Sequence, residues 1–385
     1  MAITPFHLDI PQEQLDDLRA RLARVRWPDD VPGGDHGGDW RYGPPLAHVR
    51  DLVEHALHRY DWRAQEARLR AFPQFTTEID GQRVHFLHVR SSRPDALPLI
   101  VTHGWPSSPA EYLDVIAPLT EPEDDGPAFH LVIPSPPGYG LSGPTREFGW
   151  GSRRIAETWV ELMARLGYRR YGAQGGDWGT WISRELALVA PDSVVGVHTN
   201  GMITFPSGDP EELAGLSAAD QERMAGWQRY TDELYGYKLI QSTKPQALAY
   251  ALADSPAGLL GWFSGVFREW TDPRTPLAAD LVLTHALLYW FTGTTNSAAR
   301  SFVETPDDAE HAEREGVLAE LATGAVPHGV AVFPHDVLRP VRPFAERINN
   351  VVRWTEHDRG GTFPAAEVPE LFTADVRAFF AAVTG

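Results

Sequence analysis

The sequence predicts an α/β protein: a mostly parallel β-sheet with helices on both faces, a helical insertion within it and a helical extension before it. Three observations predict this. From residue 75 onward, short apolar runs ending in glycine-bearing loops alternate with helical stretches, the rhythm of a parallel sheet buried on both sides. Between about residues 200 and 304 the strand rhythm stops and the chain turns helical and aromatic, then the strands resume. Before residue 75 only helical spacing is visible. We therefore expect an extension over 1–74, the first part of the core over 75–200, a cap over 201–305 and the second part of the core over 306–385.

In chain order, Pro11 to Arg26 sets Leu15, Leu18, Leu22 and Val25 on one helical face, with acids early and arginines late as the helix dipole favours. A loop rich in Gly, Asp and Pro follows from Trp27 to Pro45, then a second helical stretch from Ala47 to Phe72. Trp27, Tyr60 and Trp62 are the expected anchors of this extension on the core and cap. Phe75–Ile79, a turn at Asp80-Gly81, and Val84–Val89 read as a β-hairpin. Four strands follow at Pro98–Thr102, Phe129–Ile133, Tyr171–Gln174 and Val194–His198, with helices between them such as Ile155–Leu166 and Thr180–Val189. Gly329–Phe333 and Asn350–Trp354 complete the sheet, and a helix from Val368 to Val383 closes the chain. In an open α/β sheet the ligand site lies at the carboxyl ends of the strands, and the cap is expected to cover it.

Composition narrows the function. The chain of 385 residues, 43% of them hydrophobic, can bury a large core. A formal charge of −18 argues against a phosphate-backbone partner, so no nucleic acid is expected. The absence of cysteine excludes disulfides, thiol nucleophiles and cysteine metal sites. His198, His285 and His335 lack metal-ligand spacing, and no dinucleotide-type glycine fingerprint occurs, so neither a metal nor a cofactor is expected. No stretch approaches the ~20 apolar residues of a membrane span, and the start has no leader pattern, which makes a cytoplasmic protein the default. Lysine occurs only at Lys238 and Lys244, against abundant arginine and alanine, a bias pointing to a GC-rich bacterial source.

The motif with most chemistry is Gln174-Gly175-Gly176-Asp177-Trp178-Gly179, between a strand and a helix. It reads as a nucleophile elbow with aspartate at its apex, although an Asp in front of Trp178 also suits a helix N-cap. A carboxylate attacks saturated carbon and forms an ester that water can cleave, which points to epoxides or haloalkanes. His103-Gly104-Trp105-Pro106 ends an earlier strand. The backbone N–H groups of Trp105 and Trp178 are the expected oxyanion hole, and His103 reads as structural.

With these motifs the chain resembles the microsomal and juvenile-hormone type of epoxide hydrolase, a family with the α/β-hydrolase fold. The resemblance also rests on Arg26-Trp27-Pro28, Tyr60-Asp61-Trp62-Arg63, Gly138-Tyr139-Gly140 and Asp358-Arg359-Gly360-Gly361. It implies an apolar epoxide as the small-molecule substrate, a vicinal diol as product, Asp177 as nucleophile, Asp336 as the acid that orients a catalytic histidine, and Tyr237 as the proton donor. A homodimer is implied by the resemblance alone. Two positions depart from the pattern: Thr362 stands where the resemblance leads one to expect the histidine, and Phe302 stands at the second tyrosine. Tyr230, Tyr235 and Tyr289 are the phenols left to substitute for it.

Threonine is no general base near neutral pH, and a missing base costs ~10²–10⁴ in rate. Four readings follow: a hydrolase in which Asp336 activates water directly; a base relocated to His357; a retooled enzyme that isomerises or cyclises an epoxide without net hydrolysis; and a ligand-binding protein without chemistry. Retention of Asp177, Asp336 and Tyr237 favours epoxide chemistry. The cap aromatics supply both its own core and a pocket wall, for which Phe302, Trp227 and Tyr289 are the expected residues and a bulky apolar or aromatic epoxide the expected ligand.

Overall fold

The computed structural model describes residues 2–30, 40–207, 209–305 and 324–385. Part of the Gly-, Asp- and Pro-rich loop (31–39) and the start of the segment returning to the sheet (306–323) lie outside the described residues. Nine strands form one sheet: β1 (Thr4–Pro5), β2 (Gln74–Ile79), β3 (Gln82–Val89), β4 (Leu97–Thr102), β5 (Phe129–Pro134), β6 (Tyr171–Gly176), β7 (Val194–Asn200), β8 (Gly324–Val332) and β9 (Asn349–Glu356). Their order is β1-β2-β3-β5-β4-β6-β7-β8-β9. The pairs β1/β2, β2/β3 and β3/β5 are antiparallel, and all pairs from β5 to β9 are parallel.

The hairpin β2–β3 turns at Asp80 and Gly81, whose φ values of 51° and 71° are the left-handed pair that a two-residue hairpin turn needs. Alternation decides the two faces of the sheet. Leu99, Val101, Leu131 and Ile133 point into one apolar cluster, which runs on through the extension and the cap. Ile100, Val132, Ala173 and Val197 point into the other, which is closed by helices α5 (Ser152–Arg165) and α6 (Trp178–Val189).

The extension holds α1 (Gln12–Leu22), α2 (Leu46–His58) and α3 (Trp62–Arg70). The single helix expected over 47–72 is thus two. The first ends at His58 with Arg59 as its C-cap, and Asp61 caps the second, its carboxylate accepting the N–H groups of Arg63 and Ala64. The extension is fastened to the cap by Trp62, edge-on to Phe291 at 4.8 Å, and by Tyr60, whose hydroxyl lies 3.0 Å from Thr284 Oγ1.

Helix α4 (Leu113–Thr120) packs with the C-terminal helix on the cluster that reaches the extension and the cap. The stretch between β7 and β8 carries α7 (Pro210–Ala214), α8 (Ala218–Arg229), a π-helical turn (Tyr230–Leu234), α9 (Gly236–Thr243), α10 (Pro245–Asp254), α11 (Pro256–Trp270), α12 (Ala279–Thr292) and α13 (Thr295–Glu304). After β8 come α14 (Arg342–Ile348), then β9, α15 (Pro364–Glu367) and α16 (Pro369–Thr384). No helix among the described residues is long and apolar enough to cross a membrane.

Candidate active site

Four loops at the carboxyl ends of parallel strands meet beneath the cap. After β6, Asp177 takes φ 50° and ψ −125°, a strained conformation for a non-glycine residue, and α6 starts immediately. Asp177 stands at the N-cap position of α6 without a side-chain capping bond. The carboxylate faces backbone donors instead. Trp105 N–H, from the loop after β4, donates to Asp177 Oδ1 at 2.8 Å, and Trp178 N–H holds the same carboxylate. Gly104 permits this approach, because a Cβ there would overlap Asp177 Oδ1. The Trp105–Pro106 bond is cis.

Burial pushes the Asp177 carboxyl up to about 7; the negative charge of Asp336 adds to this, while the two N–H groups and Lys238 oppose it. Asp177 is therefore poised between a neutral acid and a nucleophilic carboxylate near physiological pH. If Oδ2 attacks carbon, Oδ1 becomes the carbonyl oxygen of the resulting ester, and Trp105 N–H already lies where negative charge would develop on cleavage.

Asp336 follows β8, and Thr362 follows β9. Thr362 Oγ1 donates to Asp336 Oδ1 at 2.8 Å and accepts the N–H of Val337 at 3.2 Å. Thr362 is buried, its N–H bound to Trp270 O and its carbonyl to Asn200 Nδ2. Asp336 is also raised to about 7 by burial, against the hydroxyl of Thr362 and the N–H groups of Leu338 and Val337. The threonine thus presents a hydroxyl to Asp336.

The loop bearing Thr362 is tied to the end of α11 by two acids the sequence did not single out. Asp272 accepts Gly360 N–H at 2.9 Å, and Glu367 accepts the N–H groups of Asp272 and Phe363 at 2.8 and 2.9 Å. Asp272 is remote from the motifs in sequence, Glu367 follows closely after Gly361, and no local pattern marks either.

His357 is placed elsewhere. Its ring stacks on Phe333 at 4.5 Å, and Nε2 lies 3.9 Å from Asp375 on α16, which also holds His198, Arg353 and Thr355. No hydrogen bond or ion pair joins His357 to Asp177 or Asp336 among the described residues, so the expectation of a relocated base is corrected. His103 is buried, with Nδ1 2.9 Å from Gly104 O, and burial lowers its pKa to about 4.

Aromatic rings pack around Trp105, whose N–H meets Asp177. Tyr237 stacks on Trp105 at 5.5 Å with an interplanar angle of 6°. Phe302 meets Trp178, Trp105 and Tyr237 edge-on at 4.8, 5.7 and 6.1 Å, and Trp270 closes on Tyr237 at 5.3 Å. The two other expected pocket residues sit behind this layer. Tyr289 is buried and donates its hydroxyl to Ser107 O at 2.8 Å, which braces the Trp105 loop. Trp227 packs on Phe205 and Tyr230 at 5.3 and 6.0 Å.

Known proteins share this architecture along the whole chain. The family described as "Epoxide hydrolase N terminus" matches residues 3–112, and the "alpha/beta hydrolase fold" family matches 97–247. A putative epoxide hydrolase of Stigmatella aurantiaca is 41% identical, the alignment covering 98% of this chain and 84% of that protein. The solved epoxide hydrolase of Aspergillus niger superposes with a TM-score of 0.86 at 32% identity, over 100% of this chain and 97% of that one. The juvenile hormone epoxide hydrolase of the silkworm Bombyx mori gives 0.87 at 26% identity, over 100% and 95%. On this combination of extension, fold and near full-length similarity, the chain belongs to the epoxide hydrolase family of the microsomal and juvenile-hormone type.

Proposed function

We propose that this protein opens a bulky apolar or aromatic epoxide by attack of Asp177, through an alkyl-enzyme ester, and that release of the ester is the slow step. The observation that carries this reading is the convergence on Asp177 of two backbone N–H donors and the ring of Tyr237 stacked on Trp105. Asp177 Oδ2 forms a bond to an epoxide carbon, the C–O bond breaks, and the Tyr237 hydroxyl passes its proton to the alkoxide. The rings of Trp105, Trp178, Trp270 and Phe302 supply an apolar wall that suits an aryl or alkyl substituent.

Cleavage of the ester then needs a water, a base and the oxyanion donors. The donors are in place, but the hydroxyl of Thr362 is held between Asp336 Oδ1 and Val337 N–H. It has one lone pair left for a water, whose proton can pass through the hydroxyl to Asp336. Such a relay leaves Asp336 as the only base, and it works best above the raised pKa of that carboxyl, about 7. The same observation supports a slow hydrolase or one that accumulates ester over a binding protein without chemistry.

The test is intact-mass measurement after mixing with styrene oxide, beside an Asp177→Asn control. An adduct of one epoxide mass, absent from the control, with diol appearing more slowly than the adduct, is the expected result. Neither adduct nor diol would refute the reading.

A further inference from the structure

The phenol of Tyr237 is not alone. Tyr230 places its hydroxyl 2.8 Å from that of Tyr237, and Tyr230 is buried. Residues seven apart in an unbroken α-helix are separated by about 10.5 Å along the axis. Here a π-helical turn over Tyr230–Leu234 leads into α9, and the two hydroxyls meet. Isolated π turns recur at functional sites because they re-aim side chains. The Tyr230 ring is held by Trp227 at 6.0 Å and Tyr235 at 5.4 Å, so the pair is fixed from behind by aromatic packing.

We propose that Tyr230 is a positioning residue for the acid: it donates its hydroxyl proton in a hydrogen bond to Tyr237 Oη, which leaves the Tyr237 proton directed at the epoxide oxygen. This deepens, and rests on, the reading of Tyr237 as proton donor. As the C–O bond breaks, the Tyr237 proton moves to the alkoxide, and the Tyr230 O–H stabilises the phenolate left behind. Of the two protons that water loses as the ester is cleaved, one goes to the leaving alkoxide and the other restores Tyr237, so epoxide plus water gives diol with Asp177 ionised and both phenols neutral. Phe302, packed edge-on against Tyr237, brings no hydroxyl to this reaction, and Tyr230 supplies a second one from the opposite direction in the chain. Among the described residues, Tyr235 packs on Tyr230, and Lys238 holds its ammonium 5.0 Å over the Tyr235 ring with its charge acting on Asp177.

The experiment is a double-mutant cycle on the full chain, reading the rate of Asp177 alkylation by styrene oxide in a single turnover. Tyr230→Phe is expected to slow alkylation about 5–10-fold, the worth of one hydrogen bond, with the half-saturating epoxide concentration unchanged. Tyr237→Phe is expected to cost more, about 10²-fold, and Tyr230→Phe in that background to add less than about 2-fold, because Tyr230 acts only through Tyr237. Incorporation of 3-fluorotyrosine at position 230 keeps the hydroxyl and acidifies it; alkylation is expected to persist with the alkaline limb of its pH profile moved to lower pH. Unchanged alkylation in Tyr230→Phe, or additive losses in the double variant, would overturn the proposal while leaving Asp177 as nucleophile. Absence of alkylation in the unsubstituted protein would overturn both.

Discussion

Replacing Thr362 by histidine tests the reading of the site most directly. Thr362 Oγ1 lies 2.8 Å from Asp336 Oδ1, so an imidazole grafted there finds an acceptor for one ring N–H already in place. The other nitrogen is then available to water as a base, with Asp336 holding the tautomer. A positioned general base is worth ~10²–10⁴ in rate, or about 3–5 kcal/mol of barrier at about 1.4 kcal/mol per tenfold. The larger side chain must displace part of a well-packed environment, since Thr362 is buried and bonded through Trp270 O and Asn200, and overpacking costs about 1–3 kcal/mol of stability. The expected result is therefore a folded but less stable variant. Its alkylation rate stays within about 3-fold of the parent while ester hydrolysis rises ~10²–10⁴-fold. Quench-flow with intact-mass detection separates the two steps, and thermal unfolding checks the fold. If a folded Thr362→His protein alkylated normally and released its ester no faster than the parent, the assignment of Thr362 as the cause of slow release would be wrong.

Other consequences follow from the same geometry. The Asp177 carboxyl is raised from 3.8 to about 7, chiefly by burial, and only its ionised form attacks; the alkylation rate should climb through about pH 7 and level off above it, and a flat profile from pH 5 to 9 would contradict this. Because the folded protein binds that proton more tightly than the unfolded chain, burying the charge destabilises it above pH 7, and the penalty fades as pH falls from about 7 to about 4. Asp177→Asn should therefore stabilise the protein at pH 8 by about 1–3 kcal/mol, less than the full shift because hydrogen bonds also change, and the gain should vanish at pH 4 in matched urea titrations. Gly104→Ala puts a methyl onto the Asp177 carboxylate and should cut alkylation at least about 10²-fold with little change in far-UV circular dichroism. Trp62→Ala removes a buried ring that meets Phe291 and donates to Glu66 at 3.2 Å, and should lower stability by about 3–5 kcal/mol in denaturant unfolding.

The framework of the protein is written in local pattern. Alternation at Leu99–Ile100–Val101 and Leu131–Val132–Ile133 names the strands and their two faces, because side chains on a strand point alternately to opposite sides whatever the rest of the chain does. Asp80-Gly81 names the hairpin, because its backbone angles favour those residue types. The elbow at Asp177 and the Gly104-Trp105 loop are legible for a similar reason: glycines are needed where backbone and carboxylate come close, and they leave a spaced signature. The split of the second helix at Asp61 was equally local and was missed, since Asp within a helical stretch is ambiguous until its capping bonds are seen.

What only the tertiary structure decided is which polar groups meet. Thr362 and Asp336 are 26 positions apart, Asp272 and Gly360 are 88 apart, and each pair is joined by loops from different strands or by the cap. His357 shares a loop with Thr362 yet stacks on Phe333 and faces Asp375, because the end of β9 turns its side chain to another part of the molecule. Tyr230 and Tyr237 meet through an irregular turn that helical periodicity does not encode. The sequence by itself determined the sheet, the elbow and the absence of an imidazole at position 362. The structure decided that a threonine hydroxyl meets Asp336 and that the phenol of Tyr230 meets that of Tyr237, because hydrogen bonds between side chains depend on how strands and helices pack rather than only on the order in which residues occur.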